Sequence, residues 1–160
     1  MVVSVAIFSV IVLIATETFK MVIEGQRNAI SAQNVQESMR YAFEMISKEM
    51  RMAQKDDGAC GLNSVYGVNA DSDSLYFKNY HDECVTYQLD GSRLEISRNG
   101  NSGYVTSSKI EVSDLKFFIQ GDSSVGQPTA TMKMKIKAIG KEMHGQEIIM
   151  QTTVSSRYYE

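Results

Sequence analysis

The order of apolar and polar positions divides the chain into three stretches with different periods. Met1 to Ala15 reads MVVSVAIFSVIVLIA; only Ser4 and Ser9 interrupt the apolar run, and no charge occurs before Glu17. As a helix this run is roughly 22 Å long, short of the ~30 Å hydrocarbon core of a bilayer. A cleaved signal peptide would open with Lys or Arg and end in a small-residue site followed by a loop. Here there is no basic start, and helical character continues past Ala15. A core helix is the other alternative, but a run apolar on every side suits lipid or a helical bundle better. The run is expected to be most of a membrane span.

From Thr16 to Lys55 there is no Pro and one Gly, Gly25, and the residues are mostly helix formers. Ala32, Val35, Met39, Ala42, Ile46, Met50 and Ala53, flanked by Phe43, recur at gaps of three and four and define one stripe. Val35, Met39, Ala42, Phe43, Ile46 and Met50 are expected to pack on the following domain. Met39, Met45, Met50 and Met52 read as adaptable packing rather than a metal or ligand site. Lys48, Arg51 and Lys55 crowd the last turns, where positive charge complements the helix dipole. Asp56-Asp57-Gly58 breaks the pattern, with Gly58 a plausible cap. The expectation is one helix of about 53 residues, roughly 80 Å long.

After Gly58 the period changes from 3.6 to 2. Leu75 to Tyr80, Cys84 to Leu89 and Arg93 to Ser97 read as short strands, and Asp90-Gly91 marks a tight hairpin between the last two. Asn99-Gly100 is a further turn. Ile110 to Gln120 is a strand pair or a bulged strand, because the apolar phase shifts between Val112 and Leu115. In Thr131 to Ile139, Met132, Met134, Ile136 and Ala138 face one way and Lys133, Lys135 and Lys137 the other. The lysine row reads as a solvated face that also guards an outer strand, in preference to a basic binding face. Gly140 to Gly145 is a turn, and Ile148 to Ser156 the last strand. The fold class is α+β: residues 1–57 form a transmembrane or assembly helix and residues 58–160 a β-rich domain.

Composition adds exclusions. Sixteen basic and nineteen acidic residues leave a net charge of −3, which argues against a strongly basic nucleic-acid surface. Cys60 and Cys84 are the only cysteines. In an exported domain they are expected to form a disulfide closing a loop of about 25 residues, worth roughly 3 kcal/mol; the alternative is two unpaired, buried thiols. His81, Asp82, Glu83 and Cys84, with His144 elsewhere, lack the paired spacing of zinc sites. Asn69, Asp71 and Asp73 alternate like the opening of a calcium loop, without the later Gly and Glu of that motif. Both groups read as turns. No nucleophile motif or Gly-rich phosphate loop is present, so no enzyme, cofactor or metal is expected.

The layout resembles the type IV pilin and type II secretion pseudopilin superfamily. MVVSVAIF in residues 1–8 looks like the stretch just after the prepilin cleavage motif, typically Gly-Phe-Thr-Leu-Ile-Glu. Aligned so, Met1 would follow the motif's glutamate, and the leader, the methylated first residue and that glutamate would be missing, as if the gene start had been placed too late or a mature chain had been trimmed. CVTYQLDGSRLEI (Cys84 to Ile96) and the segment from Thr152 to Arg157 resemble the J-type minor pseudopilins and W-type minor pilins.

The resemblance implies a structural minor pilin or pseudopilin, held in the inner membrane with its sheet domain outside and then built into a filament. Val2, Ser4, Ala6, Phe8, Ser9, Val12 and Ile14 would form the membrane and assembly helix. Glu17, Lys20 and Glu24 would make polar contacts between subunits, and Gly25 would be a flexible point. Its partners would be other pilin or pseudopilin subunits, the inner-membrane assembly platform and, for the precursor, a prepilin peptidase. No specific nucleic acid is implied. The alternative is a membrane-anchored module that displays a binding face, to which Tyr76, Tyr80, Tyr87, Tyr104, Tyr158 and Tyr159 could contribute.

Overall fold

The computed structural model describes residues 2–121, 126–139 and 147–157. The turn expected at Gly140 to Gly145, together with His144, Tyr158, Tyr159 and the side chain of Ala138, lies outside the described residues. One helix, α1 (Val2–Arg51), is followed by eight strands: β1 (Tyr66–Val68), β2 (Leu75–Lys78), β3 (Cys84–Asp90), β4 (Arg93–Arg98), β5 (Asn101–Tyr104), β6 (Ile110–Gln120), β7 (Thr129–Ala138) and β8 (Glu147–Ser155). The strands make two antiparallel sheets, β1-β2-β3-β4-β5 and β6-β7-β8, each in sequence order. The class is α+β, with the C-terminal part of the helix packed on the sheets.

The helix is 50 residues long, about 75 Å at 1.5 Å per residue. Its buried positions are Val35, Met39, Ala42, Phe43, Ile46 and Met50, the three-and-four spacing that puts side chains on one face. Ala53 is buried just beyond it, Ala32 only partly, and Met52 is exposed, so Met52 is not core packing.

The helix stops earlier than its composition suggests, and Gly58 does not cap it. Met52 N–H bonds Glu49 O and Ala53 N–H bonds Met50 O, a tightened last turn. The terminal carbonyls are then met by distant groups. Tyr66 Oη donates to Met50 O at 2.6 Å, Arg157 N to Arg51 O at 2.9 Å, and Ser156 Oγ to Ala53 O at 3.0 Å. Tyr66 of the first sheet and two residues just past β8 thus satisfy acceptors that a helix end leaves open, and Gln54 moves into a bridge with Lys78.

The β3–β4 hairpin pairs Asp90 with Arg93, leaving Gly91 and Ser92 as the loop, with Gly91 at φ 59° in the first central position. The β4–β5 hairpin turns through Asn99 (φ 47°) and Gly100 (φ 84°), the two positive values a type I′ turn needs. In β6 the register shifts between Val112 and Asp114. That single bulge brings Ile110, Val112, Leu115 and Phe117 all into the core. β1 and β5 have no counterpart among the expected strands. Two backbone bonds tie the sheets together, Val112 N to Ser92 O at 2.8 Å and Phe117 N to Ser72 O at 2.7 Å.

The core is one cluster in which Met39, Phe43, Ile46 and Met50 meet Leu75, Phe77, Tyr87 and Leu94 of the first sheet and Leu115, Phe117, Met132, Met134 and Ile136 of the second. Phe77 stacks on Tyr87, with ring centroids 6.1 Å apart.

Candidate functional site

The most unusual surface is the first half of the helix. Val2, Ser4, Ala6, Phe8, Ser9, Val12 and Ile14 are all exposed, as are Ile7, Val10, Ile11 and Leu13 between them. This segment is long and apolar enough to cross a membrane, and none of it is buried within the chain. Three of its hydroxyls are satisfied locally: Ser9 Oγ donates to Val5 O at 2.9 Å, Thr16 Oγ1 to Val12 O and Thr18 Oγ1 to Ile14 O, both at 2.8 Å. Back-bonding of this kind lets a hydroxyl sit on an apolar helix without an orphaned donor.

Glu17, Lys20 and Glu24 follow at helical spacing and share a shallow groove with Leu13, Ile14, Thr18 and Met21. None of the three forms a salt bridge among the described residues. Gly25 lies within unbroken helix, with open space where a Cβ would stand.

Where the helix meets the sheets, one acidic side chain organises the junction. Glu49 is only 14% exposed and accepts from Arg98 Nη2 at 2.6 Å and Nε at 3.1 Å, and from the Tyr87 hydroxyl. Burial and the adjacent Glu49 carboxylate push the Tyr87 phenol far above its ordinary range. Burial opposes the charge on Arg98, but the bonds and charge of Glu49 outweigh it and raise its pKa. The chain marks Glu49 only as an acid one position before Met50, beside the apolar stripe; its partners Tyr87 and Arg98 are far along the sequence.

Cys60 and Cys84 are joined as a disulfide, with Cα atoms 5.4 Å apart, linking the loop after the helix to the start of β3. Asp56 is buried under that loop, and its Oδ2 accepts from Cys60 N and Leu62 N, both at 2.9 Å. Burial pushes the Asp56 carboxyl up, but the amides of Leu62 and Cys60 and the charge of Lys78 prevail and hold it below the usual carboxylate value.

The other candidates disperse. Asn69 and Asp73 close a turn on each other, with Asn69 Nδ2 donating to Asp73 Oδ1 at 2.6 Å and Asp73 N to Asn69 Oδ1 at 2.9 Å. His81 lies against the ring of Tyr80 in the turn between β2 and β3. Among the described residues no group of three His, Cys, Asp or Glu side chains is placed to hold a metal ion. The tyrosines do not make one face: Tyr87 is buried, Tyr76 partly so, and Tyr80 and Tyr104 are exposed in different loops and strands.

The lysine row lies on β7, the middle strand of its sheet, so it does not guard an edge. Lys137 sits between Glu111 and Glu147, and Lys135 beside Asp114, with a 3.4 Å ion pair to Glu147. Lys133 has Lys116 as its neighbour, and Lys116 Nζ turns away to Asp71 O at 2.7 Å.

Comparison with family models, with curated proteins and with solved structures finds no match. The architecture itself, a long N-terminal apolar helix joined to antiparallel sheets, is compatible with a pilin-like one.

Proposed function

We propose that the protein is a structural minor subunit of a type IV pilus or type II secretion filament, anchored and then assembled through its apolar helix. The observation that carries this reading is the division of labour along α1. Residues 35–53 carry a buried stripe that belongs to the chain's own core, while the apolar positions of residues 2–16 are all exposed. Each large apolar side chain left in water forgoes about 1.5–3 kcal/mol, and a whole domain is stable by only about 5–15 kcal/mol. A row of ten such side chains therefore needs lipid or other helices around it.

In the membrane the helix would lie in hydrocarbon, with Glu17, Lys20 and Glu24 reaching the outer interface. On assembly it would move from lipid into a bundle of like helices. Apolar burial is then nearly conserved, so packing and matched polar groups choose the neighbours. Ser4 and Ser9 are small enough for close helix contacts, and Glu17, Lys20 and Glu24 can pair between subunits. The assembly platform of the inner membrane would drive that transfer, and a prepilin peptidase would act on the precursor. No catalytic role is proposed.

A second reading, a membrane-anchored binding module, draws on an open groove of about 820 Å³ between Tyr41 and Ser38 of the helix, Arg93 and Tyr104 of the first sheet, and Thr106 just beyond β5. Both readings share the anchor and differ in what the anchor must recognise. Replacing residues 2–24 with an unrelated apolar span of equal length tests this. The filament reading expects insertion with a folded domain but loss of the protein from sheared filaments. Filaments that still incorporate the chimera contradict it.

A further inference from the structure

Three of the four outer strands of the two sheets are short or covered. β1 has three residues and β5 four, and β6 is bonded to the first sheet through Val112 and Phe117. β8 differs. It runs nine residues, Glu147–Ser155, in unbroken register with β7, and among the described residues no strand pairs with its other side. Natural edge strands are usually blunted by charge, Pro or a bulge. β8 has one charge, Glu147, and neither Pro nor bulge, while the lysines that would blunt an edge sit on central β7.

Alongside this edge runs a slot of about 460 Å³ between β8 and the helix. Phe43, Ser47, Met52 and Thr152 line it together with the cationic Lys48, Arg51 and Arg157. Glu44 also borders it but is engaged with Arg40 at 2.9 Å. Lys48, Arg51 and Arg157 are exposed and form no ion pair among the described residues.

We propose that β8 accepts an extended, acidic segment of a partner protein as a fourth strand. Backbone pairing along β8 supplies the affinity. Alternate side chains of the guest enter the slot against Phe43 and Met52, and its carboxylates meet Lys48, Arg51 and Arg157. A second copy of this chain fits less well. Antiparallel β8–β8 pairing has its two-fold perpendicular to the sheet, which turns the second helix end for end. Two apolar segments leaving in opposite directions do not share one membrane, a point that rests on the anchored reading above.

The test uses the full chain in detergent micelles, without filaments, so its result is separate from that of the span chimera. The probe is a labelled peptide alternating valine and threonine and ending in three aspartates. Controls are a lysine-ended version and a version N-methylated at alternate amides. Fluorescence anisotropy is expected to give binding of the aspartate probe at least about tenfold tighter than either control. The Lys48→Glu, Arg51→Glu double variant, changed only at exposed positions, should lose about tenfold as well. No binding by the aspartate probe, equal binding by the lysine or N-methylated probe, or unchanged affinity in the double variant overturns the proposal. Spontaneous disulfide dimers of a Gln151→Cys variant also overturn it, in favour of a second copy.

Discussion

The two ends of α1 are both rich in apolar residues, and they behave oppositely. Ile11 is 59% exposed and Ile46 not at all, although both are isoleucines within one continuous helix. The difference lies in the periodicity around them. In residues 35–53 apolar side chains return every three or four positions and leave a polar back, so the helix has one face to bury. In residues 2–16 they occupy every side, and no single sheet can cover a helix all round. Helix formation is common to both ends; the arrangement of side chains decides which solvent each end needs.

The sharpest way to break the comparison is the same truncation at both places. Ile46→Ala is expected to cost about 2–5 kcal/mol of domain stability. Ile11→Ala should leave the denaturant midpoint of the domain unchanged, since its side chain touches no part of it. Urea titration of the two variants in micelles, followed by tyrosine fluorescence, checks this. Equal losses would mean that the apolar end is part of the folded core.

The disulfide comes next. Cys60→Ser with Cys84→Ser opens a loop with a sequence separation of 24 residues, and the expected loss is roughly 3 kcal/mol. It should fall on the sheet domain alone, leaving membrane insertion intact, as carbonate extraction of membranes would report.

Third is the clamp between helix and first sheet. Arg98→Ala removes two bonds from the largely buried Glu49 and is expected to cost about 1–2 kcal/mol, allowing for solvent around the half-exposed Arg98. Arg40→Ala breaks a pair with Glu44 of similar length on the exposed side of the same helix, and no measurable change is expected. Thermal melts of the two variants separate these cases.

The smallest effect is on acid stability. The folded-state pKa of Asp56 is depressed. Its contribution is therefore fully present above the ordinary aspartate value, about pH 4, and is lost as pH falls through the lower folded value. In Asp56→Asn the stability curve should be flatter below about pH 4. An unchanged acid limb would mean that Asp56 does not hold the loop at Cys60 and Leu62.

Much of the fold is legible along the chain because it rests on local periodicity. The stripe from Val35 to Met50, the phase slip that becomes the bulge at Ser113, and the Asp90-Gly91 hairpin all follow from neighbouring residues. What escapes is decided at a distance. The end of the helix is set by Tyr66, Ser156 and Arg157 meeting carbonyls of Met50, Ala53 and Arg51. β5 contains Asn101 and Gly103, poor strand formers, and exists because the Asn99-Gly100 turn folds it onto β4. The importance of Glu49 depends on Arg98, which lies 49 residues later. The exposed apolar run could be read directly, whereas the β8 edge became visible only once the strands were placed in order.

Residues 2–16 are expected to lie in lipid, while the buried stripe of residues 35–53 belongs to the folded domain. The most direct measurement is site-directed spin labelling of the full chain in lipid bilayers, one label at a time from Ser4 to Gln33, with collision rates for oxygen and for a water-soluble nickel complex. Oxygen accessibility is expected to be high and nickel accessibility low through Ile14, crossing over between Glu17 and Glu24, with nickel accessibility beyond Gly25. Labels at Phe8 and Ile11 that meet nickel as readily as one at Arg27 would place the apolar run in water and contradict this expectation.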